Sequence, residues 1–164
     1  MAKNNVSYVF KVLRRTSYGL FSATVDSSQR YAHTKYQKGV WVKPRIGKSF
    51  AFDSKDAAEA FVKEAHPGPY CEIWLAEARN VKQVPGLRVP LTFLSKRELE
   101  LFWKKGVVIG GVDVPKGTVI CDAIKLVRPV ARYRCRVRGD RIEVVELDCL
   151  DYGDAGRQNN AREV

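Results

Sequence analysis

The chain has 164 residues, 45% of them apolar, 29% charged and 10% aromatic, with twelve Gly and seven Pro. That length fits one domain able to bury a core, and the composition excludes collagen-like and wholly disordered chains. Twenty-nine Lys and Arg against eighteen Asp and Glu leave +11, and no apolar run nears the ~18–20 residues that cross a bilayer.

In chain order, Val6 to Arg15 reads as a strand, with Tyr8, Phe10 and Val12 on one face and Val9, Lys11 and Leu13 on the other. Thr16–Gly19 has turn composition, and Leu20 to Val25 resumes as strand. Asp26–Gln29 is a second turn before a strand of mixed polarity over Arg30–Gln37. Val40–Lys43 is a short strand stopped by Pro44. Ala57, Ala58, Phe61, Val62 and Ala65 then share one helical face, with Asp53 or Ser54 as cap and Pro67-Gly68-Pro69 as stop. Cys71–Ala78 returns to strand, and Val84–Pro90 is loop. Ser95-Lys96-Arg97-Glu98 is a capping box opening a second helix, striped by Leu99, Phe102 and Trp103 and ended by Gly106.

From Val107 the pattern is β again, with a break at Gly110-Gly111 and a turn at Pro115–Gly117. A long strand from Thr118 to Val127 ends at Pro129. Ala131–Arg138 and Arg141–Asp148 form a hairpin around Gly139-Asp140, the Gly-first loop of a type II′ turn. The expected architecture is α+β: a mainly antiparallel sheet carrying two helices on one face, ending in a hairpin. One domain is expected over residues 1–150, with a flexible tail over 151–164.

Charge points to a partner. Ten bases and one acid fall in residues 1–50, leaving +9 there and +2 in the remainder. Such asymmetry suits an anionic partner, whether nucleic acid, a membrane surface or an acidic protein, against the plain alternative of a soluble basic protein. The sharpest feature is the alternation Arg132, Arg134, Arg136 and Arg138, which puts four guanidinium groups on one strand face at a repeat of ~6.6 Å. That repeat resembles phosphate spacing along a single nucleic-acid strand, and the arginine fork binds phosphate in bidentate fashion. The hairpin register sets Arg138 opposite Arg141, Arg136 opposite Glu143, Arg134 opposite Val145 and Arg132 opposite Leu147. The row therefore stays positive unless another element brings acids. The opposite face, with Tyr133, Cys135, Val137, Ile142 and Val144, is expected to meet the core. A purely structural row, with arginine stems over Val145 and Leu147 and ion pairs to nearby acids, is the competing reading.

A second basic and aromatic stretch runs from Arg30 through Tyr31, His33, Lys35 and Tyr36 to Lys38, followed by Lys43 and Arg45. An edge strand guarded by lysines has the same composition. The four cysteines, Cys71, Cys121, Cys135 and Cys149, show no CxxC pairing and are expected as reduced, mostly buried thiols. No metal-ligand spacing, cofactor motif or catalytic signature is present. Met-Ala-Lys-Asn-Asn-Val lacks the apolar stretch of a secretory signal, so an intracellular protein is expected.

The succession FKVLRR, SATV, KGVWVKP, FAFDSKDAAEAFV, EIWLAEA and PKGTVICDAIKLVRPV, over about residues 7–127, resembles small proteins encoded in bacteriophage and other viral genomes. The resemblance implies a viral origin, with residence in the host cytoplasm or nucleus or in the virion, and transfers no activity or site. The leading expectation is a non-enzymatic protein that contacts nucleic-acid phosphates through Arg132, Arg134, Arg136, Arg138, Arg141, Arg30, Lys35, Lys43 and Arg45. The alternative is a viral structural or host-factor-binding module facing an acidic protein. A nucleotide-processing enzyme, needing a pocket that joins His33 to Glu72 or Glu77, is a third class.

Overall fold

Residues 5–23, 32–89, 95–106 and 111–147 are described by a computed structural model of the protein. The predicted turn at Asp26–Gln29, the basic Arg30, the break at Gly110, Cys149 and the 151–164 tail lie outside these residues. In chain order the elements are β1 (Val6–Thr16), β2 (Gly19–Ser22), β3 (Lys35–Tyr36), β4 (Trp41–Val42), β5 (Ser49–Phe52) and α1 (Lys55–Ala65). There follow β6 (Tyr70–Arg79), β7 (Lys82–Gln83), β8 (Arg88–Val89) and α2 (Lys96–Lys105). The chain continues through β9 (Val112–Asp113), β10 (Thr118–Cys121), β11 (Ala123–Arg138) and β12 (Arg141–Leu147). The architecture is α+β, with named strands that pair antiparallel.

The sheet closes on itself. β1 pairs with β6 from Val6–Arg79 to Arg14–Cys71 and meets β5 at Phe10–Phe52. β5 pairs with β10, and β10 passes through the single residue Asp122 into β11, which pairs with β6. The circuit β1, β6, β11 with β10, and β5 therefore returns to β1. β7 stays with β10 after the chain bends at Asn80, whose φ of 54° is one that asparagine tolerates. The corner is pinned at Asp122: its amide donates to the Arg79 carbonyl at 2.9 Å, and its carboxylate accepts from Lys48 and from Asn80 at 2.7 Å. Those donors, Lys48 foremost, hold the Asp122 carboxyl below its ordinary range.

Closure explains why β1 and β6 are buried on both faces. Val9, Leu13, Trp74, Ala76, Val119 and Ile124 fill the inside, while Val12, Phe52, Ile73, Ala131 and Tyr133 face outward beneath α1. Ser54 caps α1 by accepting the Ala57 amide at 3.2 Å, and the helix ends at His66 in left-handed geometry. Ala58 and Val62 are its buried residues. Ser95 caps α2 through the Glu98 amide at 3.2 Å, and Gly106 ends it at φ 64°. Its Trp103 lies on Phe50, ring centroids 5.5 Å apart. Phe50 is two residues from the outward Phe52, so both helices sit on the outer side.

Gly47, with φ 70°, leaves the space that Trp103 occupies; a Cβ there would collide with the indole. Gly47→Ala is therefore expected to destabilise the fold by about 1–3 kcal/mol, through left-handed strain and displaced packing. Thermal melts and tryptophan fluorescence check this, and an unchanged melt with unchanged emission would contradict the docking of Trp103.

Four expectations need correction, the first within Val84–Pro90, where Arg88–Val89 forms β8 and pairs with β9 instead of remaining loop. β5 is a strand that composition did not mark, because it is four residues long and runs directly into the helix cap. The Arg30–Gln37 strand contracts to Lys35–Tyr36 within the described residues. The strand after Thr118 does not stop at Pro129: it breaks at Asp122, then continues as β11 through the proline. Register shifts between Leu126 and Arg128 and between Pro129 and Ala131 absorb the missing ladder donor.

Candidate nucleic-acid interface

The arginine row lies on the last turn-linked pair of strands. β11 and β12 pair in the expected register, Arg132–Leu147, Arg134–Val145, Arg136–Glu143 and Arg138–Arg141. Gly139 takes φ 64° while Asp140 keeps a negative φ, the sign pair of a type II′ turn. On its other edge β11 pairs with β6 only as far as Arg134–Tyr70, with one more bond from the Cys135 amide to the Pro69 carbonyl at 3.0 Å. Beyond that point the hairpin projects as a two-stranded ribbon.

This projection corrects the expected core side. Tyr133 is buried and Cys135 and Val144 are half-buried, but Val137 is 76% exposed and Ile142 48%. The back of the ribbon meets the core at its base and is uncovered at its tip.

The row's face continues the inner side of the barrel, because Arg132 pairs with Glu72 and Glu72 shares a face with the inward Trp74. Glu72 is the acid that the hairpin register could not show. It is 1% exposed and receives Arg15, Arg132 at 3.4 Å and the Trp74 indole N–H at 2.7 Å. Arg15, which sequence reasoning did not single out, thereby joins the row from β1. Farther out, Arg134 stands over the Tyr70 ring at 5.4 Å and Arg138 pairs with Glu143 at 3.1 Å. Among the described residues, six arginines on this face, Arg15, Arg132, Arg134, Arg136, Arg138 and Arg141, thus meet two carboxylates, Glu72 and Glu143. Arg132 and Arg134 are half-buried, and Arg136, Arg138 and Arg141 are exposed.

The second basic stretch is a separate patch. Lys35 pairs with Phe21, which pairs with Arg14, so the three share the outer face. His33 stacks on Phe21 with ring centroids 4.2 Å apart, and Arg45 lies within electrostatic reach of it. Burial, then Arg14 and Arg45, push the His33 pKa below its ordinary value, which favours a neutral ring. Lys43 is exposed just after β4. Lys35 and Arg45 are therefore not brought onto the ribbon face.

The N-terminal charge count overstates what a partner can reach. Lys11 is 2% exposed inside the barrel, its ammonium donating to the Phe50 carbonyl at 2.5 Å and to Ser22 at 3.3 Å. The Tyr36 ring lies 5.4 Å from it. Neither carboxylate weighed for catalysis meets His33: Glu72 is held by two arginines and Trp74, and Glu77 by Lys125 at 2.5 Å. Trp41 lies 4.1 Å beneath the Arg79 guanidinium, and Trp74 is a core residue.

Burial raises the Cys71 thiol to about 12 and the Cys121 thiol to about 11, and pushes the Cys135 thiol upward as well. Such thiols are poor nucleophiles at neutral pH. Among the described residues no group of three His, Cys, Asp or Glu side chains could hold a metal ion, and no helix is long and apolar enough to cross a membrane. No protein family, curated protein or solved structure matches the chain.

Proposed function

We propose that the protein binds nucleic-acid phosphates through the arginine face of the β11–β12 ribbon. The observation that carries this reading is the excess of arginine on a surface that projects past its neighbours. Arg136, Arg138 and Arg141 are open to solvent, and among the described residues one exposed carboxylate, Glu143, shares their face. A structural row would match each arginine with an acid or cover it; among the described residues this pattern holds at Arg132 with Glu72 and at Arg138 with Glu143, and fails at the exposed Arg136 and Arg141. Fluorescence anisotropy with a labelled oligonucleotide tests the reading. A saturable rise at low salt, with a Kd of about 1 µM or tighter, is expected, since non-specific binding of ~1–100 µM at physiological salt tightens as salt falls. No rise would contradict it.

The uncovered Val137 and Ile142 on the ribbon's back favour a second reading, an acidic protein partner that meets arginines and apolar side chains together. Affinity for acidic polyglutamate equal to that for the oligonucleotide would favour this alternative.

A further inference from the structure

The aromatic ring beside the row carries the nucleic-acid reading further. Tyr70 opens β6, is 43% exposed, and lies directly across from Arg134 on the arginine face, with the guanidinium 5.4 Å from its ring centre. We propose that the ribbon face selects single-stranded nucleic acid, with the arginines following the backbone and Tyr70 stacking an unpaired base. This rests on the phosphate-binding reading above and adds the class of strand.

Two features of the face argue for it. The first is the gradient of access along the row. Arg138 and Arg136 are exposed at the tip, whereas Arg134 and Arg132 are half-buried toward the barrel, where Glu72 closes the inner side. A stiff duplex resting on the tip touches the open end alone. A flexible strand can bend down the row, and its backbone repeat suits the ~6.6 Å between alternate arginines. The second feature is Tyr70 itself. The bases of a duplex stack on one another and present only edges in the grooves, so an aromatic face has no use for them. Unpaired bases offer their π-faces, and a ring bordered by a guanidinium is the arrangement that stacks them without regard to sequence.

The test compares labelled oligo(dT) with a duplex of equal length, using the full chain, Tyr70→Ala, Tyr70→Phe and, as an exposed tyrosine on the outer face, Tyr8→Ala. The expected result is tighter binding of oligo(dT) than of duplex by the unaltered protein. Tyr70→Ala should lose about 5- to 100-fold for oligo(dT), as removal of one stacking platform does. Tyr70→Phe and Tyr8→Ala should stay within about twofold, and duplex affinity should be the same in all four proteins, because stacking needs the ring and an unpaired base. A melt of Tyr70→Ala that matches the unaltered protein keeps a folding defect from imitating the loss; if the melt falls, the duplex affinity of the same variant decides, since a damaged ribbon loses both probes and a missing stacking ring loses oligo(dT) alone. Equal or tighter binding of duplex, or full oligo(dT) affinity without the Tyr70 ring, overturns the single-strand inference while leaving phosphate binding in place. Failure to bind either probe at low salt overturns phosphate binding itself.

Discussion

Glu72→Ala is expected to destabilise the protein by about 2–4 kcal/mol and to lower its Tm by on the order of 10 °C. Glu72 is buried on the inner side and receives the Arg15 and Arg132 guanidinium groups and the Trp74 indole N–H. Removing the carboxylate leaves the half-buried Arg132 and the buried indole donor without this acceptor, and unsatisfied buried donors are the costly kind. Both arginines retain partial solvent access, which keeps the loss below that of a sealed ion pair. The same variant should bind oligonucleotide more tightly at temperatures where it is folded, because two arginines of the row lose their neutralising acid. Chemical denaturation and anisotropy on one preparation check both signs. A stable Glu72→Ala protein, or one with weakened binding, would show that Glu72 does not organise this face.

Arg134→Ala combined with Arg136→Ala is expected to behave in the opposite way. Affinity for oligonucleotide should fall by about tenfold or more, and the salt slope should drop by roughly two units, one per lost phosphate contact. The melt should move little: exposed Arg136 counts for less than ~0.5 kcal/mol, and half-buried Arg134 gives up a contact with the Tyr70 ring of about 0.5–1 kcal/mol. If the arginine stems instead hold the hairpin together over Val145 and Leu147, the outcome inverts, with a lowered melt and unchanged affinity. Binding would then have to be sought on the outer patch of Arg14, Lys35 and Arg45.

The ribbon was legible in the sequence because its determinants are local. A two-residue loop with glycine first fixes the register, and strict alternation of arginine fixes the face. The helix caps are equally local: Ser95 stands where the capping box places it, and the structure settles the first cap on Ser54 of the two residues, Asp53 and Ser54, that could serve. What the sequence hides is set by long-range closure. The pairing of Arg132 with Glu72 depends on register shifts around Pro129, and no spacing rule carries a register across two bulges. Barrel closure turns on Asn80 and Asp122, forty-two positions apart and joined by one hydrogen bond. The same closure buries Lys11, which alternation alone leaves free to face solvent, and it leaves Val137 and Ile142 beyond the last strand that could cover them.

The salt dependence of oligonucleotide binding tests the central claim most directly. Phosphate contacts through about four or five arginines predict a slope of log K against log salt of about −3 to −3.5 on a single strand, so affinity should fall by about 50- to 130-fold between 50 and 200 mM salt. A flat salt response, or no binding at the lowest salt, would contradict a phosphate-binding ribbon.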